Sequence, residues 1–70
     1  MLLKRLGMTI KRRRHGRGKK AKMTQAQLAA AVGVHRIYIA QIEAGTKTPS
    51  IATLEKIAKA LKTDIATLLE

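Results

Sequence analysis

At 70 residues, with 15 Lys and Arg against 4 Asp and Glu, the chain is one small domain whose net charge of +11 suits a polyanionic partner without naming it. The absence of Cys excludes disulfides, zinc thiolate sites and thiol catalysis. Four carboxylates, one Ser and two isolated His have no spacing that joins a nucleophile to a base, so no enzyme, cofactor or metal site is expected.

No apolar run approaches the length of a membrane span, and Lys4 and Arg5 fall where a signal peptide keeps its apolar middle, so a soluble cytoplasmic protein without a membrane partner is expected. The core lacks Trp and Phe and must be built from Leu, Ile, Val, Ala and Met. Ten of the cations and none of the acids fall in residues 1 to 22, so the charge excess belongs to the N-terminal third.

Leu2, Leu3, Leu6 and Ile10 recur at helical spacing and predict a first amphipathic helix over Leu2–Arg14, despite Gly7. Lys11 and Arg12 belong to its solvated side. The stretch from Gly16 to Met23 is a loop by composition, with two Gly and four cations inside it. Arg17, Lys19, Lys20 and Lys22 are either a basic arm along the phosphates of a polyanion or a flexible insertion.

Thr24 can cap a second helix that starts at Gln25, with Gln27 bonding back to the Thr24 amide as a reciprocal capping box. Gly33 ends that helix, and a third runs over Arg36–Ala44 to a stop at Gly45. Two short helices joined by a turn with an early Gly form a helix-turn-helix, whose second helix can enter a DNA major groove.

Val34, Ile39 and Ile42, with Leu28, Ala29 and Val32, face a core. Arg36, Ile37, Gln41 and Ala44 point outward, with Ala40 beside them and Tyr38 on the flank. Arg and Gln can bond in pairs to guanine and adenine edges, and an exposed Ile suits a thymine methyl. The competing reading is a solvated face carrying a stray Ile; the spacing favours DNA contact.

Pro49 forbids further helix in the turn Thr46–Pro49. Ser50 caps a fourth helix, Ile51 to about Leu61, with Ile51, Leu54, Ile57, Ala58 and Leu61 on one stripe. Asp64 caps a last short helix over Ile65–Glu70.

The run from Met23 to Leu61 resembles the lambda-repressor-like helix-turn-helix family of phage repressors, Cro and bacterial relatives. Thr24-Gln25, Leu28-Ala29, Gly33-Val34, Tyr38-Ile39, Ile42-Glu43, Gly45, Pro49-Ser50 and Leu54 through Leu61 carry the resemblance. It implies an all-α, five-helix DNA-binding domain over residues 1–70, with the helix-turn-helix at helices 2 and 3.

Carried over by position, Gln25, Arg36, Ile37 and Gln41 would read bases. Thr24, Tyr38 and Lys47 are assigned to phosphates alongside the basic loop. The resemblance also implies a structural pair between Arg14 and Glu43. Three departures stand out. His35 replaces the usual capping Ser or Thr, and imidazole is a poorer cap. Ala44 replaces a residue that is often polar or basic, at the cost of one phosphate contact. The segment before Thr24 is about four residues longer than usual.

The expected function is a sequence-specific transcriptional regulator, reading a palindromic operator in double-stranded DNA as a homodimer, with helix 36–44 in the major groove. Ile65, Leu68 and Leu69 are the expected dimer surface, although the same residues could simply close the monomer core. An antitoxin-type regulator with a toxin as protein partner, or a restriction-modification controller, is the alternative. RNA is disfavoured because Tyr38 is the single aromatic residue.

Overall fold

Capping side chains set the helix starts after residue 23. The structure, a computed structural model, describes residues 2–16 and 23–70. Within them the chain is all-helical: α1 (Leu2–His15), α2 (Gln25–Val32), α3 (Arg36–Ala44), α4 (Ile51–Ala60) and α5 (Ile65–Leu68). Thr24 and Gln27 make both bonds of the capping box, the Gln27 amide donating to Thr24 Oγ1 at 3.0 Å and the Thr24 amide to Gln27 Oε1 at 2.8 Å. Gly33, at φ 83°, takes the left-handed conformation that turns the chain from α2 toward α3.

Ser50 Oγ accepts from the Thr53 amide at 3.1 Å, and Asp64 Oδ1 accepts from the Thr67 amide at 2.8 Å. Hydrogen bonding from Thr67 holds the Asp64 carboxyl below its ordinary range. A lowered carboxyl contributes its stabilisation above the unfolded-state pKa and loses it as pH falls through the folded one, so this cap persists until the solution is more acidic than the usual carboxylate range.

Packing follows a ring. α1 packs on α3, α3 on α2, α2 on α4, α4 on α5, and α5 back on α1. Leu6, Ile10, Leu28, Ile39, Ile42, Leu54, Ile57 and Leu68 fill its centre. The radius of gyration is 10.7 Å, against about 11 Å expected from chain length.

The ring corrects several expectations. The last helix stops at Leu68 rather than Glu70. Leu68 has no exposed surface and closes the core between α4 and α1, so it is unavailable to a second copy; of the apolar end, half-buried Ile65 and exposed Leu69 remain. Ile51 shares the helical spacing of Leu54 but is 65% exposed at the first position of α4, and Pro49 is buried nearby in sequence.

Gly7 is a contact requirement as well as a propensity cost. A Cβ built there would overlap the carbonyl groups of Ile42 and Glu43, so α1 crosses the end of α3 where only a hydrogen fits. Seven residues on, Arg14 meets Glu43. Nε donates to Oε2 at 2.6 Å and Nη2 to Oε1 at 3.0 Å, with the side chains 9% and 4% exposed. A forked, desolvated pair of this kind fixes both the position and the rotation of α1 on α3.

Two stability measurements follow. Ala for an exposed helical Gly normally stabilises by about 0.5–1 kcal/mol, but Gly7→Ala should lower the denaturation midpoint, since overpacking costs roughly 1–3 kcal/mol. A more stable variant would rule out the close crossing. Glu43→Ala strands the Arg14 charge and should cost about 3–5 kcal/mol in urea melts; parental stability would show that the pair does not hold the helices.

Candidate nucleic-acid interface

The rear of α3 is fixed by burial of Ile39 and Ile42, with Val34 and Tyr38 packed partly against the same cluster. Geometry then decides what faces out. Arg36, Ile37 and Ala44 are exposed, Ile37 by 51%, and Ala40 and Gln41 are half-buried. An Arg fork, an isoleucine methyl surface and an amide on one short helix form a set that suits base edges in a major groove.

Neighbouring elements carry further polar side chains. Thr24 is exposed and Gln25 half-buried at the start of α2, and Lys47 is exposed in the turn after α3. Tyr38 is half-buried with its body against the core, which leaves part of the ring free. Arg17, Lys19, Lys20 and Lys22 lie outside the described residues.

The structure adds contacts that spacing does not announce. Arg14 Nη1 donates to the Met23 carbonyl at 2.9 Å, and the Met23 amide donates to the Arg14 carbonyl at 3.0 Å, so the two ends of the basic stretch are joined beside α2. Gln25 Nε2 donates to Glu43 Oε1 at 3.1 Å, and Arg36 Nη1 donates to Gln25 Oε1 at 3.4 Å. These bonds link three elements distant in sequence. Helical periodicity carries no signal for them.

His35 also differs from its expectation as a poor cap. Its Nδ1 accepts from the Ile37 amide at 3.0 Å while its backbone is extended, φ −75° and ψ 147°. The imidazole nitrogen thus takes the place of a hydroxyl oxygen. Among the described residues, no three His, Asp or Glu side chains cluster as metal ligands would.

His35→Ala should cost about 1 kcal/mol of stability through the lost cap, whereas His35→Ser should keep most of it. Thermal melts of both variants compare the two. An alanine variant as stable as the parent would mean that the imidazole bond contributes nothing.

Comparison with known proteins agrees with this geometry. Residues 17–68 match the helix-turn-helix family HTH_3. The chain is 43% identical over 51 residues to control protein C.BamHI of Bacillus amyloliquefaciens, covering 73% of this chain and 63% of that protein. It is 37% identical over 62 residues to the immunity repressor protein of Bacillus phage phi105, covering 89% and 43%. It therefore spans under two thirds of the length of either relative. Among solved structures, the restriction-modification controller protein C.AhdI from Aeromonas hydrophila superposes with a TM-score of 0.84 at 27% identity, covering 94% of each chain. With its capped helix pair, glycine turn and matched span, the chain belongs to the helix-turn-helix family HTH_3.

Proposed function

We propose that the chain is a DNA-binding transcriptional regulator that inserts α3 into the major groove and reads bases with Arg36, Ile37 and Gln41. The observation that carries this reading is the outward face of α3: a guanidinium, an amide and an exposed Ile on a helix whose opposite side is locked into the core. Thr24, Lys47 and the free part of Tyr38 flank that face and take phosphates. The cations of residues 17 to 22 add sequence-independent attraction.

A single domain with one such helix reads few base pairs, which favours a homodimer on a palindromic operator, its two α3 helices about 34 Å apart. Leu69, 45% exposed, and half-buried Ile65 are the apolar residues left at the chain's end for that contact. Among regulators, a restriction-modification controller is the narrower reading that C.BamHI and C.AhdI support by resemblance.

Selection of bound sites from random duplex DNA tests the whole reading. A two-fold motif with half-sites one helical turn apart is expected. Arg36→Ala and Gln41→Ala should each cost about 1–3 kcal/mol on the best site and relax preference at one base pair per half-site. Equal losses on every sequence would move these residues to the phosphate class. Failure of the parent to enrich any motif would overturn sequence-specific binding.

A further inference from the structure

His35 supplies acceptors to three successive amides at the start of α3. Its Nδ1 accepts from Ile37 at 3.0 Å, and its carbonyl accepts from Tyr38 at 3.0 Å and from Ile39 at 3.4 Å. The carbonyl accepts at any pH. A ring nitrogen accepts only while it bears no proton, since an imidazolium has a donor at both nitrogens.

The other helix caps lack this sensitivity. α2 and α4 start on the hydroxyls of Thr24 and Ser50, which do not titrate near neutrality, and α5 starts on the Asp64 carboxyl, which hydrogen bonding from Thr67 holds below its ordinary range. Of these four helices, α3 is therefore the one whose side-chain cap is lost to a proton in the range where imidazole titrates. The same proton sets a positive charge against the positive end of the α3 dipole.

No carboxylate among the described residues pairs with the ring. Arg36, next in the chain, is a cation, and α2, which packs on α3, has no ionisable side chain between Gln25 and Val32. Glu43 lies at the opposite end of α3 and is taken by Arg14 of α1. The other close approaches of α1 are at that far end too, Gly7 against the Ile42 and Glu43 carbonyls and the Lys4 backbone against Gly45, and Lys47 follows just beyond.

We infer that His35 is a proton-sensitive positioning residue: the unprotonated ring holds the first turn of α3, with Arg36 and Ile37 set to read bases, and protonation releases that turn. Selectivity for the operator then falls on acidification while binding to duplex of any sequence persists. The inference rests on the DNA-reading function above and adds a condition to it. Attraction to phosphates comes from Lys and Arg, which keep their charge throughout. A released turn must be ordered again before it can read bases, and that entropy weighs only on complexes that read them. Because the operator complex favours the unprotonated ring, forming it displaces a proton, so operator affinity rises with pH through the imidazole titration.

The experiment measures affinity for the operator selected at about pH 8, and for a scrambled duplex, at constant ionic strength from about pH 8 to about pH 5.5. Parent selectivity, the ratio of the two affinities, should fall by about three- to tenfold for each α3 bound, with affinity for the scrambled duplex level or rising. His35→Ser, whose hydroxyl caps throughout this range, should hold the parent's selectivity at every pH. His35→Ala should stay level at the value of the acidified parent. His15→Gln removes the other His of the chain and should retain the parent's fall. Thermal melts at each pH confirm that every variant is folded, and amide NMR of the free parent follows the cap itself: the Ile37 resonance should move on acidification while that of Thr53, under Ser50, stays.

A parent whose selectivity is unchanged over this range overturns the role. So does a His35→Ser variant that loses selectivity as the parent does, since the fall would then come from elsewhere in the fold. Operator affinity that climbs with acid more steeply than scrambled-duplex affinity also overturns it, because the imidazolium would then be bonded to phosphate in the specific complex. A parent that selects no motif at about pH 8 removes the DNA-reading function and this inference together, a result distinct from all three.

Discussion

The pair between Arg14 and Glu43 is the constraint on which the rest of the structure turns. It joins the last turn of α1 to the last turn of α3, and through the Met23 carbonyl it also fixes the chain that leads into α2. Two apolar side chains of matching shape would hold the same helices, often with equal stability, because burying charge is costly. They would give nothing for the Gln25 amide to bond to. The polar solution holds the helices and also gives the half-buried Gln25 amide a partner.

A ring in which each helix leans on two others has little redundancy. Removing any one contact opens it. The four-residue α5 matters for this reason: it is too short to be stable alone, and it persists through the Asp64 cap, the buried Leu68 and the bond from Arg5 Nη2 to the Glu70 carbonyl at 2.8 Å. The small core makes each buried side chain a large share of the total. Contact between copies at Leu69 would brace the ring at the element that closes it, so assembly and folding would reinforce one another.

The parts of this structure that were legible in the sequence are those decided within one turn of helix. Thr24 with Gln27, Gly33, Gly45, Ser50 and Asp64 each act on neighbours a few residues away, and α3 accordingly spans the expected Arg36–Ala44. Periodicity also sorted the two sides of α3. It failed where a position depends on what lies opposite. Ile51 has the spacing of a core residue but is 65% exposed, and Leu68, which spacing left open between a dimer surface and the monomer core, is fully buried. Gly7 looked costly by helix propensity, yet the carbonyls that exclude a side chain there belong to residues some 35 positions away. The bonds that gather Gln25, Glu43 and Arg36 are of the same long-range kind. Type and spacing nominate those residues; only the crossing of the helices says which atom faces which.

The joined ends of the basic stretch have one more consequence. Arg14 and Met23 are bonded through backbone and side chain alike, so the chain is tied at these two anchors just ahead of α2. A segment between two such anchors could lengthen or shorten at a small cost, since the entropy of closing a longer loop grows only slowly with its length. On the proposed function, the outward face of α3 and the cations between these anchors would be separately adjustable parts. Relatives that differ only between these two anchors would share a base preference while differing in how strongly salt weakens their hold on it.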